Sequence, residues 1–437
     1  MVAPLLQAMF DGADGVLSTL PGAQLPWLDS WRRSELAALA RDGLPDHHDE
    51  AWKYTALRAL AQRRYVVGRG DGVDVDVDLA GIALPAHEGP RLVFVNGCFR
   101  ADLSRLNRLP AGLEIDTLAN ALRRNPEPLR FVLARASEAP RDAFARLNAA
   151  FAADGMVLRV APDARIEAPV ELLLLGAPTA EPRAWHTRNL IELGDGAHLS
   201  VVERHAAVAA NATLGTAVAD IHVHANAELD WLLLQESSPD SVLMRRNHLR
   251  LDAAAVLRLH ALELGGALVR HELSAELRGD AARLETRGAF MPTGRQHIDT
   301  WLDIRHAARD TASDALWRGI ADQRGRGAFT GRITVDPGAD GTDASLSNKN
   351  LLLSANAEID TRPVLEIYAD EVKAAHGATV GQLDERSLFY LQSRGIPLPE
   401  ARRMLTAAFC RAVLESIHDP ALRTLADGVL AARQLAS

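Results

Sequence analysis

The middle of the chain alternates hydrophobic and polar residues with a period of two. The alternation begins at Met156 with "MVLRVAP" and continues through "NLIELGDGAHLSVVE" and "ADIHVHANAELDWLLLQE". Because successive side chains of a strand point to opposite faces, this pattern indicates strands with one buried face. It predicts a mainly β region over residues 153–383.

These alternating segments also resemble one another. Each has a strand, a short break of small residues and a second strand, with breaks such as "GDGAH", "HANAE", "DAAAV" and "RGDAAR". The breaks recur roughly every 30 residues, a spacing typical of stacked structural repeats. Stacked coils bury their inward faces only against each other, so we predict a parallel β-helix, a form of solenoid. An antiparallel β-sandwich remains the alternative, because several breaks would also serve as hairpin turns.

The two ends of the chain are predicted to be helical. Over residues 1–152, "DSWRRSELAALARDG" has a cap at Asp29 or Ser30 and a stop at Gly43, and "DEAWKYTALRALAQRR" has apolar residues at helical spacing. A hairpin at Asn96-Gly97 interrupts these helices. Residues 384–437 return to helical spacing, with Asp384 as the first cap. The sequence thus predicts three parts: 1–152, 153–383 and 384–437.

The predicted C-terminal helices have an apolar stripe at helical spacing. In "PEARRMLTAAFCRAVLESI" we expect one broad apolar face to carry Met404, Leu405, Ala408, Phe409, Ala412, Val413 and Ile417.

Net charge and cysteine content exclude several classes of partner and metal site. The net charge of −9 disfavours nucleic acid or an anionic membrane as the main partner. The two cysteines, Cys98 and Cys410, are far apart and form no CxxC pair, which excludes a self-contained thiolate metal site and favours a reducing compartment. The N-terminal residues lack a basic signal-peptide region, and no apolar run is long enough to span a bilayer. We therefore expect a cytoplasmic protein.

Few side chains suggest catalysis. The chain has no GxxxxGK[ST] phosphate-binding loop. His222 and His224 lie two apart on a predicted strand and would share one face, but a solvated polar face explains them better than a metal site. Asp299, Asp303 and Glu366 would be the acidic residues of a carbohydrate-binding groove, although their spacing does not favour catalysis over solvation.

The C-terminal third resembles a known family. The motifs "NLLLS", "PVLEIYAD", "HGATVGQLDE" and "FYLQSRGI" occur in that order, and "HIDTWLDIRH" and "GAFTGRITV" precede them. Together they resemble the SufB/SufD family of iron–sulfur cluster assembly scaffolds over about residues 160–417, and "EAWKYTAL" resembles the first helix of these proteins. The resemblance implies a right-handed parallel β-helix flanked by helical domains, and a scaffold rather than an enzyme.

Within that family the sequence is more similar to the SufD branch. Relatives often have cysteine in "KCSHGAT", whereas this chain has Ala374 and Ala375 before His376. The resemblance implies that His376 is a ligand for iron or a transient iron–sulfur cluster, shared with a SufB-like partner whose cysteines or carboxylates complete the site. The alternative is a histidine with a purely structural role at the subunit contact.

The family also implies further partners. Its C-terminal helices dock an ABC-type ATPase, SufC, which hydrolyses ATP. Phe389, Tyr390 and Arg394 are candidate contacts with it, although ordinary packing would explain them equally well. The strand containing Leu365 and Ile367 is a candidate for pairing with the SufB-like partner. The implied assembly is a SufB–SufD heterodimer with two SufC subunits. A SufB-like homodimeric scaffold and a β-helical carbohydrate-active enzyme remain alternatives.

Overall fold

The computed structural model describes residues 2–68, 75–85, 87–135 and 142–436. The N-terminal segment contains short helices and four short strands. The helices are α1 (Pro4–Asp11), α2 (Ala13–Leu17), α3 (Pro26–Asp42), α4 (Arg58–Ala61), α5 (Leu118–Arg124), α6 (Glu127–Arg135) and α7 (Ala143–Phe151). The strands are β1 (Val66–Val67), β2 (Arg91–Val95), β3 (Cys98–Phe99) and β4 (Leu113–Thr117).

Sixteen strands follow and alternate between two sheets. One sheet has the spatial order β19-β17-β15-β13-β11-β9-β7-β5-β4, with β1 beside β7, and the other has the order β20-β18-β16-β14-β12-β10-β8-β6-β2-β3. The odd-numbered strands are β5 (Met156–Val160), β7 (Arg183–Leu193), β9 (Leu214–Val223), β11 (Val242–Leu251), β13 (Leu268–Leu277), β15 (His297–His306), β17 (Arg326–Val335) and β19 (Glu358–Ile367). The even-numbered strands are β6 (Val170–Gly176), β8 (His198–Ala207), β10 (Glu228–Glu236), β12 (Val256–Glu263), β14 (Arg283–Phe290), β16 (Ala312–Ala321), β18 (Asp343–Leu352) and β20 (Lys373–Gly381).

Consecutive coils stack in parallel and in register. Leu193 pairs with Val223, Val223 with Leu251, and Leu251 with Leu277, and all four side chains are fully buried. Such columns form the hydrophobic core between the two sheets. The mainly β fold and the parallel solenoid predicted from the sequence are therefore confirmed, with about eight coils. The sandwich alternative is wrong, because the strands of successive coils pair in parallel rather than as hairpins.

The predicted breaks of small residues are the corners where the chain passes between the sheets. The corners that lead from an odd-numbered strand to the next even-numbered strand, from β5–β6 to β17–β18, each contain at least one residue with a left-handed backbone, for example Gly196, Asn226, Ala254 and Ala281, with φ between 54° and 66°. These residues also connect the coils: the amide of Asn226 donates to the Ala253 carbonyl, and that of Ala254 to the Asp280 carbonyl. Bulky or β-branched residues are disfavoured in this conformation, which explains the composition of the breaks.

Helices cover the outside of both sheets. α7 packs on β7 and β9, whereas the C-terminal helices α8 (Glu385–Ser393), α9 (Leu398–Arg411) and α10 (Pro420–Ala436) follow the last coil. Cys410, Val413 and Leu414 pack against Leu232 and Leu262 of the even-numbered sheet. Among the described residues, none of the helices combines the length and the apolar character needed to cross a bilayer.

Candidate partner interface at the open end of the solenoid

The last coil leaves one end of the solenoid uncovered. β19 pairs only with β17, and β20 only with β18, so each is the edge strand of its sheet. No further strand follows them in the described part of the chain. An exposed edge presents backbone N–H and C=O groups that another strand can pair with, and natural proteins normally blunt such an edge. We call this surface, formed by β19 and β20, the open end.

His376 faces the interior side of the open end. It pairs with Leu346 of the preceding coil, whose side chain is buried, and stacked positions of parallel strands share a face. Nothing stacks on His376 itself, so its side chain is exposed. A Cβ atom added at the neighbouring Gly377 would have no other atom within 4 Å. The small residues around this histidine therefore leave it open to a second molecule.

The neighbouring edge strand adds apolar surface. Leu365 pairs with the fully buried Ile333, but it is itself only half-buried because no coil covers it. Ile367 is 41% exposed, and Val380 on β20 is 43% exposed. Each would belong to the core if one more coil were present. The open end is therefore a continuation of the core that this chain leaves exposed.

Two exposed residues of this surface, Tyr368 and Val380, were not predicted as site residues. Tyr368, directly after β19, is 61% exposed and lies beside Ile367. It belongs to the motif "VLEIYA", so the signal was present in the sequence, but only the position of the last coil distinguishes it from an interior residue.

Both cysteines lie away from the open end. Cys98 belongs to β3, at the opposite end of the same sheet as β20. Cys410 is buried under the C-terminal helices, and burial raises the pKa of its thiol to about 12. A thiol with so high a pKa is a poor source of the thiolate that binds metal. Any thiolate beside His376 must therefore come from another protein.

The helix α8 presents a second exposed surface. None of its residues is buried, and Phe389 and Tyr390 are 73% and 57% exposed. Arg394, directly after the helix, has its guanidinium carbon 5.2 Å from the centre of the Tyr390 ring. Asp384 caps the helix by accepting hydrogen bonds from the backbone of Arg386 and Ser387. The three predicted residues thus form one exposed aromatic and cationic patch.

Of the three acidic residues considered for a carbohydrate groove, Asp299 and Asp303 lie beside arginines, and Glu366 is half-buried on the edge strand β19. Asp299 is buried and contacts Arg270 and Thr55. Asp303 lies 3.3 Å from Arg332, and burial raises the pKa of its carboxyl. Both carboxylates are thus engaged in ion pairs with arginine, which is typical of structural charges.

Comparison with known proteins decides the family. The profile "SUF system FeS cluster assembly, SufBD core domain" matches residues 176–409, and "SufBD protein N-terminal region" matches residues 16–172. This chain belongs to the SufB/SufD family. The resemblance seen in the sequence is therefore confirmed, and it extends over the N-terminal part of this SufB/SufD chain as well.

Individual relatives place the chain near the SufD branch. It is 32% identical to the iron–sulfur cluster assembly protein SufD of Escherichia coli over 393 residues, which covers 90% of this chain and 89% of the relative. It is 30% identical to an iron–sulfur cluster assembly SufBD family protein of Synechocystis over 383 residues, or 86% and 84% of the two chains. A chloroplastic protein of Arabidopsis thaliana is 29% identical over 289 residues, or 64% and 61%.

Proposed function

We propose that this chain is a SufD-type scaffold subunit of iron–sulfur cluster assembly, acting in the cytoplasm. The open end carries this proposal, because it exposes core-facing apolar residues and His376 at two unpaired strand edges. A SufB-type scaffold with a similar open end would cover these residues and pair with both edges. The division at residues 152 and 383 belongs to the same proposal, with the central solenoid as the assembly platform.

His376 is proposed to bind iron, or a nascent cluster, as the cargo of the complex. Imidazole is a suitable iron ligand when thiolates complete the coordination shell. Since neither cysteine of this chain lies at the open end, the partner scaffold would supply the thiolates or carboxylates. The site would therefore form only in the heterodimer. This explains why a homodimer of this chain, with two imidazoles and no thiolate, is the weaker candidate for a scaffold.

The exposed patch on α8 is proposed to bind the ATPase. Phe389 and Tyr390 offer apolar area, and Arg394 offers a cation beside it, a combination enriched at the centres of protein interfaces. The sequence has no phosphate-binding loop of its own, so ATP hydrolysis is assigned to a SufC-type partner. Two such subunits, one on each scaffold, would complete the assembly.

Anaerobic coexpression tests this function. This chain carries the tag and is purified together with the SufB-type and SufC-type proteins of the same organism, and the complex is analysed for subunit ratio by native mass spectrometry. We expect one copy of each scaffold and two ATPase subunits. Recovery of this chain alone, or as a homodimer with neither partner, would contradict the proposal.

A further inference from the structure

His222 and His224 form a cluster with two carboxylates on the outer face of the odd-numbered sheet. Their alternation along the sequence is typical of a solvated polar face, but in the structure both are half-buried and their ring centroids lie 3.9 Å apart. His222 pairs with Glu192 of the coil before it. His224 lies just past the end of β9, and its Nε2 is 3.3 Å from Glu192 Oε1.

Asp252, from the following coil, hydrogen-bonds His222 and lies close to His224. Its Oδ2 lies 2.8 Å from His222 Nε2 and 3.3 Å from His224 Nδ1. A carboxylate that accepts a hydrogen bond from one ring nitrogen fixes the tautomer and aims the other nitrogen, which is the usual support of a metal-bound histidine. For His222, this arrangement makes Nδ1 the nitrogen available to an ion, and Nε2 of His224 lies 3.3 Å from Glu192 Oε1.

Arginines hold the outer oxygen of each carboxylate. Arg159 Nε is 3.4 Å from Glu192 Oε2, and Arg278 Nε is 3.9 Å from Asp252 Oδ1. The inner oxygens, Glu192 Oε1 and Asp252 Oδ2, are the ones that face the imidazoles. Each carboxylate thus has one oxygen nearer an arginine guanidinium and one oxygen turned toward the histidines.

A small cavity lies directly beside this cluster. It has a volume of about 40 Å³ and is lined by Glu192 and His222, by apolar residues that include Val157 and Leu190, and by the charged or titratable residues Arg159, Asp220, His248 and Arg250. A single water needs roughly 10–15 Å³ in a cavity of this kind. The space therefore suits an ion with one or two waters, and it is too small for an organic cofactor.

From this geometry we propose that Glu192, His222 and His224 form a binding site for one divalent first-row transition-metal ion. The ligand atoms available on these three residues lie within 4.8 Å of one another, close enough to converge on one ion. Two imidazoles and one carboxylate are a ligand set typical of Zn²⁺ or Fe²⁺, with water in the remaining positions.

This site is separate from the open end. β9 and β19 are five strands apart in the same sheet, or about 24 Å at the usual spacing between strands. Its ligands come from two successive coils, and Asp252 joins them from a third. A bound ion would therefore connect neighbouring coils and stabilise the middle of the solenoid. The inference concerns the isolated chain and does not depend on any partner.

Metal titration of the purified chain tests the site. After treatment with a chelator, Co²⁺ is added and its visible absorption recorded, followed by competition with Zn²⁺ and by thermal unfolding with and without Zn²⁺. We expect the wild type to bind one equivalent of Co²⁺ that His224→Ala and Glu192→Gln do not bind. Asp252→Asn should weaken binding about 10–100-fold, because it removes only the orienting carboxylate. Zn²⁺ should raise the Tm of the wild type but not of the two ligand variants.

Two matched controls separate this site from other histidines. His198 lies 3.5 Å from Asp230 of the next coil and is exposed to a similar degree, but no second imidazole lies beside it in the described residues. His47 belongs to an exposed Asp46–His47–His48 group in a loop. His198→Ala and His47→Ala should retain the equivalent lost in His224→Ala. No Co²⁺ binding at millimolar concentration, or equal binding by wild type and His224→Ala, would overturn the proposal. Circular dichroism checks that each variant is folded.

Discussion

Glu203 is a carboxylate inside the solenoid, where a hydrophobic residue would be expected. Its two oxygens lie 3.2 Å and 2.7 Å from Arg245 Nε and Nη2, and His205 Nε2 lies 2.7 Å from it. Burial alone would raise the pKa of this carboxyl, but the charge of Arg245 and the hydrogen bonds from both partners outweigh that effect and hold the pKa at about 2. The negative charge of the buried Glu203 carboxylate is therefore compensated by its contacts with Arg245 and His205.

Removal of Arg245 should destabilise the chain strongly. Arg245→Met leaves a buried carboxylate without its cation, which costs about 3–5 kcal/mol of unfolding free energy. The double variant Glu203→Gln/Arg245→Met should recover most of that loss. As a control, Arg305→Met removes an arginine that is 57% exposed and paired with Asp336, and should cost less than about 1 kcal/mol. The difference in Tm from wild type measures the effect of each of these three variants. An equal effect of the buried and the exposed substitution would contradict this account of the pair.

The same carboxylate predicts a pH dependence. Its pKa is lowered from the ordinary 4.5 to about 2 in the folded chain, so the ionised form stabilises the fold above pH 4.5. This contribution is lost as the pH falls from 4.5 toward 2. The difference in Tm between wild type and Glu203→Gln should therefore be constant near neutral pH and shrink in that acidic window. A difference that does not vary with pH would show that ionisation of Glu203 does not stabilise the fold.

Residues of this kind mark the limit of sequence prediction. The alternation in "HLSVVERHAA" assigns Leu199 and Val201 to the interior, and Glu203 occupies the next inward position. Nothing local shows that Arg245 and His271, two and three coils away in sequence order, would complete its surroundings. His376 has the same difficulty, because its small neighbours in "KAAHGATVG" do not show which face is inward. Only the register with Leu346 decides it.

At the scale of elements, the corners explain why the repeat was visible in the sequence. Most corners from an odd-numbered to an even-numbered strand contain a residue with a left-handed backbone, and Ala254 and Ala281 occupy that position with φ of 54° and 61°. An L-residue with a Cβ atom pays about 1–2 kcal/mol there, whereas glycine does not. The corner conformation thus limits the residues allowed, and the same short breaks recur.

Glycine at a corner should therefore stabilise the solenoid. Ala254→Gly and Ala281→Gly are each expected to raise the unfolding free energy by about 0.5–1 kcal/mol, after the entropy that glycine adds to the unfolded chain is subtracted. Ala253→Gly is the control, because Ala253 is not among the residues with positive φ and should gain nothing. Thermal unfolding compares the three. Stabilisation by Ala253→Gly as well, or by none of them, would contradict the role given to the corner backbone.

The exposed helix α8 should be needed for one partner only. Phe389→Ala with Tyr390→Ala should abolish recovery of the ATPase, leave the SufB-type scaffold bound, and change the Tm of the isolated chain little, since both side chains are exposed. Met404→Ala removes another exposed apolar residue, 44% exposed on α9, and should retain the ATPase. Loss of both partners in the double variant would contradict a separate ATPase surface.

Helix boundaries were predicted less well than strands. The Gly43 stop, the Asp384 cap and the Asn96-Gly97 hairpin agree with the structure. In contrast, α3 begins at Pro26 rather than at Asp29 or Ser30, because proline is favoured in the first turn. "DEAWKYTALRALAQRR" contains only a short 3₁₀ turn and α4.

Two further differences between prediction and structure concern the helix around Trp52 and the apolar face of the last helices. The Trp52 ring lies 4.1 Å from the Arg270 guanidinium carbon of the solenoid, and this contact replaces a continuous helix in its segment. The expected apolar face of the last helices was wrong for Met404 and Ala408, which are exposed, whereas Val413 and Ile417, beyond the end of α9, are buried.

At the scale of the molecule, the fold is covered on its outer faces and open at one end. Helices pack on both sheets, yet the core continues to β19 and β20 without a cap. Solenoids require a polar capping structure to remain soluble, and since no described element caps this end, we expect a partner to cover it. Sequence repeats predicted the solenoid itself, but not which coil is last in space.

Charges at the open end should prevent pairing with the second scaffold. Ile367→Asp and Val380→Asp place a carboxylate where the partner would exclude water, and each should weaken the scaffold contact about tenfold or more. The isolated chain should keep its Tm, because both residues are exposed. Val66→Asp is the control, since Val66 is 46% exposed on β1, near the opposite end. Pull-down of the partner scaffold measures the effect, and full recovery with either open-end variant would contradict the proposed interface.

The iron content of the anaerobically purified complex tests the central claim most directly. Wild type, His376→Ala and the control His198→Ala are each coexpressed with both partners, and iron is measured per mole of complex. The account predicts that His376→Ala retains both partners but contains less iron per mole of complex than wild type, whereas His198→Ala retains both partners and the wild-type iron content. An unchanged iron content in His376→Ala would contradict a shared metal site at the open end.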